Sequence, residues 1–168
     1  DAEKAPFAVE KIYPNSDTGY TGNSAFATDG NITLTAVIAP ETQGVTYYYW
    51  WELFNESKND WTIKFSNVNT ATHTGGKSKT LTISGLPTDK SYQYRILVQC
   101  SNGYQCYSKP FTVSTCAHGG DKTLQYDETH HWYVCGKCGA EFDRAEHSGG
   151  TATCTAKAVC STCQTAYG

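Results

Sequence analysis

Val45-Thr46-Tyr47-Tyr48-Tyr49-Trp50-Trp51-Glu52-Leu53-Phe54 is the stretch on which the fold turns. Aromatic and β-branched residues dominate it, and it reads as a strand. Successive strand side chains face opposite ways, so Val45, Tyr47, Tyr49, Trp51 and Leu53 form one wholly apolar face directed at a core. Thr46, Tyr48, Trp50, Glu52 and Phe54 form the other. That phase sets Tyr48 and Trp50 on the outside of a sheet, where aromatics two residues apart can stack on sugar rings or anchor a protein partner. The alternative is that a neighbouring loop, strand or domain covers them.

The same period of two runs outward from this strand, from Ala5 to about Ser114. Ile32, Leu34, Ala36 and Ile38 alternate with Thr33, Thr35 and Val37. Leu81 and Ile83 alternate with threonines, and Tyr92, Tyr94, Ile96 and Val98 with Gln93, Arg95, Leu97 and Gln99. Trp61, Ile63 and Phe65 are expected on one face, opposite Thr62, Lys64 and Ser66. Phe7, Val9, Ile12 and Tyr13 suggest an opening strand, and Phe111 with Val113 a closing one. Thr18-Gly19, Asp29-Gly30, Gly75-Gly76 and Asn102-Gly103 supply turns. No window carries an apolar stripe at helical spacing. About seven strands in roughly 110 residues predict an all-β fold, an immunoglobulin-like β-sandwich over residues 1–114. Cys100 and Cys106 flank the hairpin tip at Asn102-Gly103. A bulge there would set the two sulfurs opposite one another, and a disulfide is expected in an oxidising setting. Two unrelated buried thiols are the alternative.

Residues 30–114 resemble the bacterial immunoglobulin-like repeats of large Gram-positive surface proteins. The resemblance is carried by Thr46-Tyr47-Tyr48-Tyr49 leading to Trp61, by Thr80-Leu81-Thr82-Ile83, and by Ser91-Tyr92-Gln93-Tyr94-Arg95 before Asn102-Gly103 and Ser108. It implies a spacer or adhesive module with no catalysis.

Residues 115–168 are of another kind. From Cys116 onward there are one Leu, two Val, one Phe, one Trp and no Ile, and a core that small usually needs a metal or disulfides beside it. Six of the eight cysteines fall here. Cys135-Gly136-Lys137-Cys138-Gly139 and Cys160-Ser161-Thr162-Cys163 are two Cys-x-x-Cys knuckles, whose tight turns point both thiolates at one tetrahedral centre. The segment also repeats itself. Ala117-His118-Gly119-Gly120 parallels Glu146-His147-Ser148-Gly149, and His131 before Cys135 and Cys138 parallels Cys154 before Cys160 and Cys163. Repeat logic therefore predicts two four-ligand zinc sites. One comprises His131, Cys135 and Cys138 with either His118 or Cys116, the other His147, Cys154, Cys160 and Cys163. His130 is expected to face water. The rival is a disulfide-rich module, which has no use for the matched histidines.

This segment resembles the small zinc-ribbon-like Cys/His repeats of Gram-positive surface proteins. The matching residues are His131-Trp132-Tyr133-Val134-Cys135-Gly136-Lys137-Cys138-Gly139, His147-Ser148-Gly149-Gly150-Thr151-Ala152-Thr153-Cys154, and Ala158-Val159-Cys160-Ser161-Thr162-Cys163 with Tyr167-Gly168. Gln164 departs from the pattern, since a Gly commonly follows the second knuckle, and an altered turn is expected there. Metal binding is what the resemblance implies.

Composition narrows the function classes. Thirteen Lys and Arg stand against sixteen Asp and Glu for a net charge of −3, so no basic excess is available for a nucleic-acid backbone. No apolar run reaches membrane-spanning length. The absence of Met and the opening Asp1-Ala2-Glu3-Lys4 fit a mature secreted form or a piece of a longer protein. The expectation is a non-catalytic extracellular module, secreted or at the cell surface, with two structural zinc ions and neighbouring modules in a longer chain. It acts as a spacer, or as an adhesive unit for a host or matrix protein. The runner-up is a glycan-binding module working through Tyr48 and Trp50, with Trp61 as a further candidate. A third reading is an accessory region of a large surface hydrolase.

Overall fold

The computed structural model describes residues 6–65 and 70–168; Ala5 and Ser66 lie outside the described residues. Among the described residues every regular element is a strand, and no helix is long and apolar enough to cross a membrane. The chain divides into two compact units, Asp1–Cys116 and Ala117–Gly168.

The first unit contains β1 (Ala8–Pro14), β2 (Ser24–Phe26), β3 (Ile32–Ala39), β4 (Tyr47–Asn55), β5 (Asp60–Lys64), β6 (His73–Thr74), β7 (Thr80–Ile83), β8 (Ser91–Cys100), β9 (Gln105–Tyr107) and β10 (Phe111–Ser114). One sheet has the order β1-β3-β7-β6, and the second β2-β10-β8-β4-β5 with β9 also on β8. All pairings are antiparallel except that of β2 with β10. The alternating residues of β3 and β7 (Ile32, Leu34, Ile38, Leu81, Ile83) and those of β4, β8 and β10 (Trp51, Tyr94, Ile96, Val98, Phe111, Val113) form a single buried cluster. Burial of these side chains removes about 25 cal/mol of unfavourable hydration per Å² of apolar surface and is the main force on this unit.

The phase of β4 follows the alternation. Trp51 is fully buried, its indole N–H donating to the Ser78 carbonyl at 2.8 Å, and Tyr47, Tyr49 and Leu53 pack against the core. Tyr48 is exposed and Trp50 half-buried on the other face.

Trp61 corrects one expectation. Ile63 and Phe65 pack inward, but Trp61 lies 4.5 Å from the Arg95 guanidinium and edge-on to Phe54, on the outer face. The cause is a register shift between Leu53 and Asn55, where the β4–β5 pairing jumps from Leu53–Ile63 to Asn55–Asp60.

Cys100 and Cys106 correct another. Both are free thiols. Register sets Cys106 opposite Val98, and the Cys100 N–H bonds the Tyr104 carbonyl at 2.8 Å, so the two cysteines are diagonal rather than facing. Burial pushes the Cys106 thiol up.

The second unit holds a three-stranded antiparallel sheet, β11 (Lys122–Tyr126), β12 (His130–Cys135) and β13 (Glu141–Glu146), in sequence order. A two-stranded ribbon, β14 (Ala158–Val159) with β15 (Ala166–Tyr167), follows. Among its described residues the buried ones are His131, Cys135, His147 and Cys160. Where the first unit buries aliphatic and aromatic side chains, this one buries only imidazoles and thiols.

Candidate metal centres

Two groups of four ligand atoms converge, each with all four atoms within 4.8 Å of one another. The first comprises Cys116, His118, Cys135 and Cys138, the second His131, His147, Cys160 and Cys163.

β12 and its neighbours explain the grouping. Its C-terminal residue Cys135 opens the first knuckle, and the chain returns through Cys138 into β13. β13 runs back beside β12, pairing Ala145 with His131, and delivers His147 directly after its last residue. His131 and His147 thus meet at one end of the hairpin, their ring centroids 5.8 Å apart, while Cys135 and Cys138 lie at the other. The second knuckle, Cys160 to Cys163, completes the histidine end.

Both knuckles have one geometry. The N–H of Gly139 bonds the Cys135 carbonyl at 2.8 Å, and that of Gln164 the Cys160 carbonyl at 2.9 Å. Gly139 and Gln164 have φ of 73° and 63°, left-handed values natural to glycine. The expected alteration at Gln164 is therefore absent: the turn is kept, and Gln164 bears its strain. Each turn aims backbone N–H groups at its first sulfur. Cys135 is held down at about 6 by the N–H of Cys138 first, then by His118 and the N–H of Lys137. Burial pushes the Cys160 thiol up, but the N–H groups of Cys163, Ser148 and Thr162, with His147, outweigh it and hold it at about 5. Both are poised as thiolates, the form that ligates metal.

The cross-cluster distances suit a tetrahedral ion. Metal–sulfur bonds of ~2.3 Å and metal–nitrogen bonds of ~2.0 Å around a tetrahedron put sulfur and nitrogen about 3.5 Å apart. The Sγ to Nδ1 separations are 3.3 Å for Cys138 and His118, 3.6 Å for Cys160 and His131, and 3.3 Å for Cys163 and His147. In each case Nδ1 is the inward nitrogen. His147 donates its Nε2–H to the Asp127 carbonyl at 2.8 Å, which leaves the Nδ1 lone pair for a ligand bond. Asp127 is itself fixed, since its carboxylate accepts the N–H groups of His130 and Thr129 at 2.7 and 2.9 Å, and these hold its carboxyl at about 2. The His118 ring stacks on Phe142 at 5.0 Å and 11°, and Tyr167 packs against His147.

The eight-residue set differs from repeat logic at three points. Cys116 and His118, alternatives in sequence, converge together on the first knuckle. His131 leaves that set for the second, because a strand separates it from Cys135. Cys154 is exposed on a turn closed by the Thr153 N–H on the Ala156 carbonyl, and belongs to neither group. His130 is half-buried, its Nδ1 2.7 Å from the Thr129 hydroxyl. The candidate binding pair Tyr48 and Trp50 lies on the outer face of the first unit, its rings stacked at 6.3 Å. Sequence reasoning missed the supporting groups Asp127 and Phe142, and named Tyr167 only within the resemblance, without its place beside His147. The Asp127-Glu128-Thr129 turn before His130 was the signal for the first.

No protein-family model, no curated protein and no solved structure matches the chain.

Proposed function

We propose that the chain is a non-catalytic extracellular segment of a bacterial surface protein, an immunoglobulin-like sandwich followed by a small module folded around two structural zinc ions. The observation that carries the reading is the burial pattern of the second unit, whose buried side chains are all members of the two converging ligand groups. Sulfur and nitrogen donors at tetrahedral spacing favour zinc over harder ions. Four protein ligands per ion leave no position for a reactive water, which favours a structural role. Zinc would supply the folding free energy that the missing apolar core does not.

For the first unit, the sheet orders β1-β3-β7-β6 and β2-β10-β8-β4-β5 support an immunoglobulin-like arrangement. The parallel β2–β10 edge, with the opening segment of the chain crossing to the second sheet, supports it further. The surface setting rests on the resemblance to Gram-positive surface repeats, and the role that fits is a spacer that also displays an adhesive face.

Elemental analysis of the purified chain tests the zinc reading, with two zinc ions per chain expected. A strong chelator should collapse the amide spectrum of residues 117–168 and leave that of the first unit in place. Metal-free protein with its late sulfurs joined in disulfides, indifferent to chelation, would overturn it.

A further inference from the structure

We propose that the outer face of β4, β8 and β9 binds a neutral glycan, with pyranose rings lying across Tyr48, Trp50 and Tyr107. The proposal deepens the adhesive half of the function above and does not depend on the metal.

Register arranges this face in rows. Tyr48 stands beside Gln99 and Gln105, and Trp50 beside Leu97 and Tyr107. The Tyr48 and Trp50 rings stack beside one another, inclined by 26° with centroids 6.3 Å apart. Tyr48 is 49% exposed and Tyr107 47%, the largest openings of aromatic surface on the first unit.

The charges here are already engaged. Arg95 donates its Nε–H to Glu52 at 2.8 Å, and its guanidinium lies 4.0 Å from the Tyr107 ring and 4.5 Å from that of Trp61. Lys64 approaches the same carboxylate at 3.8 Å from β5. Arg95 therefore fixes the rings around it and offers no unengaged charge to an anion. What this face presents is exposed aromatic side chains in register with the neutral amides of Gln99 and Gln105.

That combination matches a sugar. The C–H face of a pyranose is apolar and slightly positive and packs on the negative face of an aromatic ring, while its hydroxyls pair with amides. A protein partner is served better by anchors seated in pockets that exclude water, and these side chains stand on the face of a sheet.

The test is titration of the full chain with cellohexaose, xylohexaose, mannohexaose, chitohexaose and maltohexaose, followed by tryptophan fluorescence and calorimetry. At least one hexaose should shift the signal at millimolar concentration or below. Tyr48→Ala and Trp50→Ala should each weaken that binding about tenfold or more. Gln105→Ala, an exposed change that spares the rings, should weaken it less while leaving the melting temperature unchanged. Trp132→Phe in the second unit should have no effect. Silence across all five hexaoses overturns the proposal, as does binding that survives both aromatic substitutions. Neither result touches the zinc content, so this reading and the metal reading fail separately.

Discussion

Replacing His131 with alanine removes a ligand from the second metal group, although in sequence His131 stands next to the knuckle of the first. His131 and Cys135 are four residues apart on β12, about 13 Å at ~3.3 Å per strand residue. The ligand atoms of one group all lie within 4.8 Å of each other, so one ion cannot take both residues. Structural zinc contributes ~10–16 kcal/mol per site; shared equally over four ligands, the loss of one costs about 3 kcal/mol, or roughly a hundredfold in affinity at that site. Cobalt(II) titration with zinc competition reads this directly, because a three-thiolate and a two-thiolate set differ in the intensity of their thiolate-to-cobalt absorption. In His131→Ala the three-thiolate site should fill at nearly wild-type concentration, and the two-thiolate site only at about a hundredfold more metal. Cys154→Ser should leave both titrations unchanged. A site emptied by Cys154→Ser, or a three-thiolate site weakened by His131→Ala with the other spared, would refute this partition of the ligands.

Three further outcomes follow from local geometry. His73 is buried with its ring stacked 4.2 Å from that of Phe65 and its Nε2 2.9 Å from the Tyr94 hydroxyl, and desolvation pushes its pKa down to about 4. Unfolded histidine titrates near 6.5, so between those values the unfolded chain binds the extra proton; the first unit should be fully stable above pH ~6.5 and lose about 3 kcal/mol as pH falls to about 4. Urea unfolding followed by tryptophan fluorescence should show a shallower pH slope in His73→Gln, and equal slopes would refute the assignment. Arg95→Ala should cost up to about 3 kcal/mol by leaving Glu52, which is only 2% exposed, with the longer 3.8 Å contact to Lys64 alone, and adding Glu52→Gln should recover part of it in a double-mutant cycle. At the knuckles, Gly139→Ala should lower the melting temperature of the metal-loaded second unit by the equivalent of about 1 kcal/mol, and Gln164→Gly should raise it by a similar amount, since both positions have left-handed φ.

Much of the first unit was legible because strand alternation is a local property. The Trp51 face, the Ile32 to Ile38 strand and the Tyr94 to Val98 strand each follow from period two alone. What escaped was register. The shift between Leu53 and Asn55 turns Trp61 to the outer face, and the hairpin offset sets Cys106 against Val98 instead of Cys100; neither is written in a period. In the second unit the ligand types were legible from the knuckles and histidines, but their partition was not. Similarity between the two halves suggested that each half serves one ion. Recognising His131-Trp132-Tyr133-Val134-Cys135 as a strand would have shown that its two ends face different centres.

That partition has a consequence for how the second unit holds together. Repeated halves that each enclosed their own ion would be separable, and either could lose its metal without disturbing the other. Here the β12–β13 hairpin carries Cys135 and Cys138 at one end and His131 and His147 at the other. Ordering either end fixes the register of the hairpin, and with it half of the ligand side chains of the opposite group, so the entropy of ordering that strand pair is lost once and would serve an ion at either end. Metal at the first site would therefore lower the cost of filling the second, despite a sequence that reads as two separate halves. It also accounts for how the unit manages with no residue of its described 117–168 segment buried other than His131, Cys135, His147 and Cys160: these four stand along the hairpin and its partner knuckle where a larger domain would place aliphatic side chains.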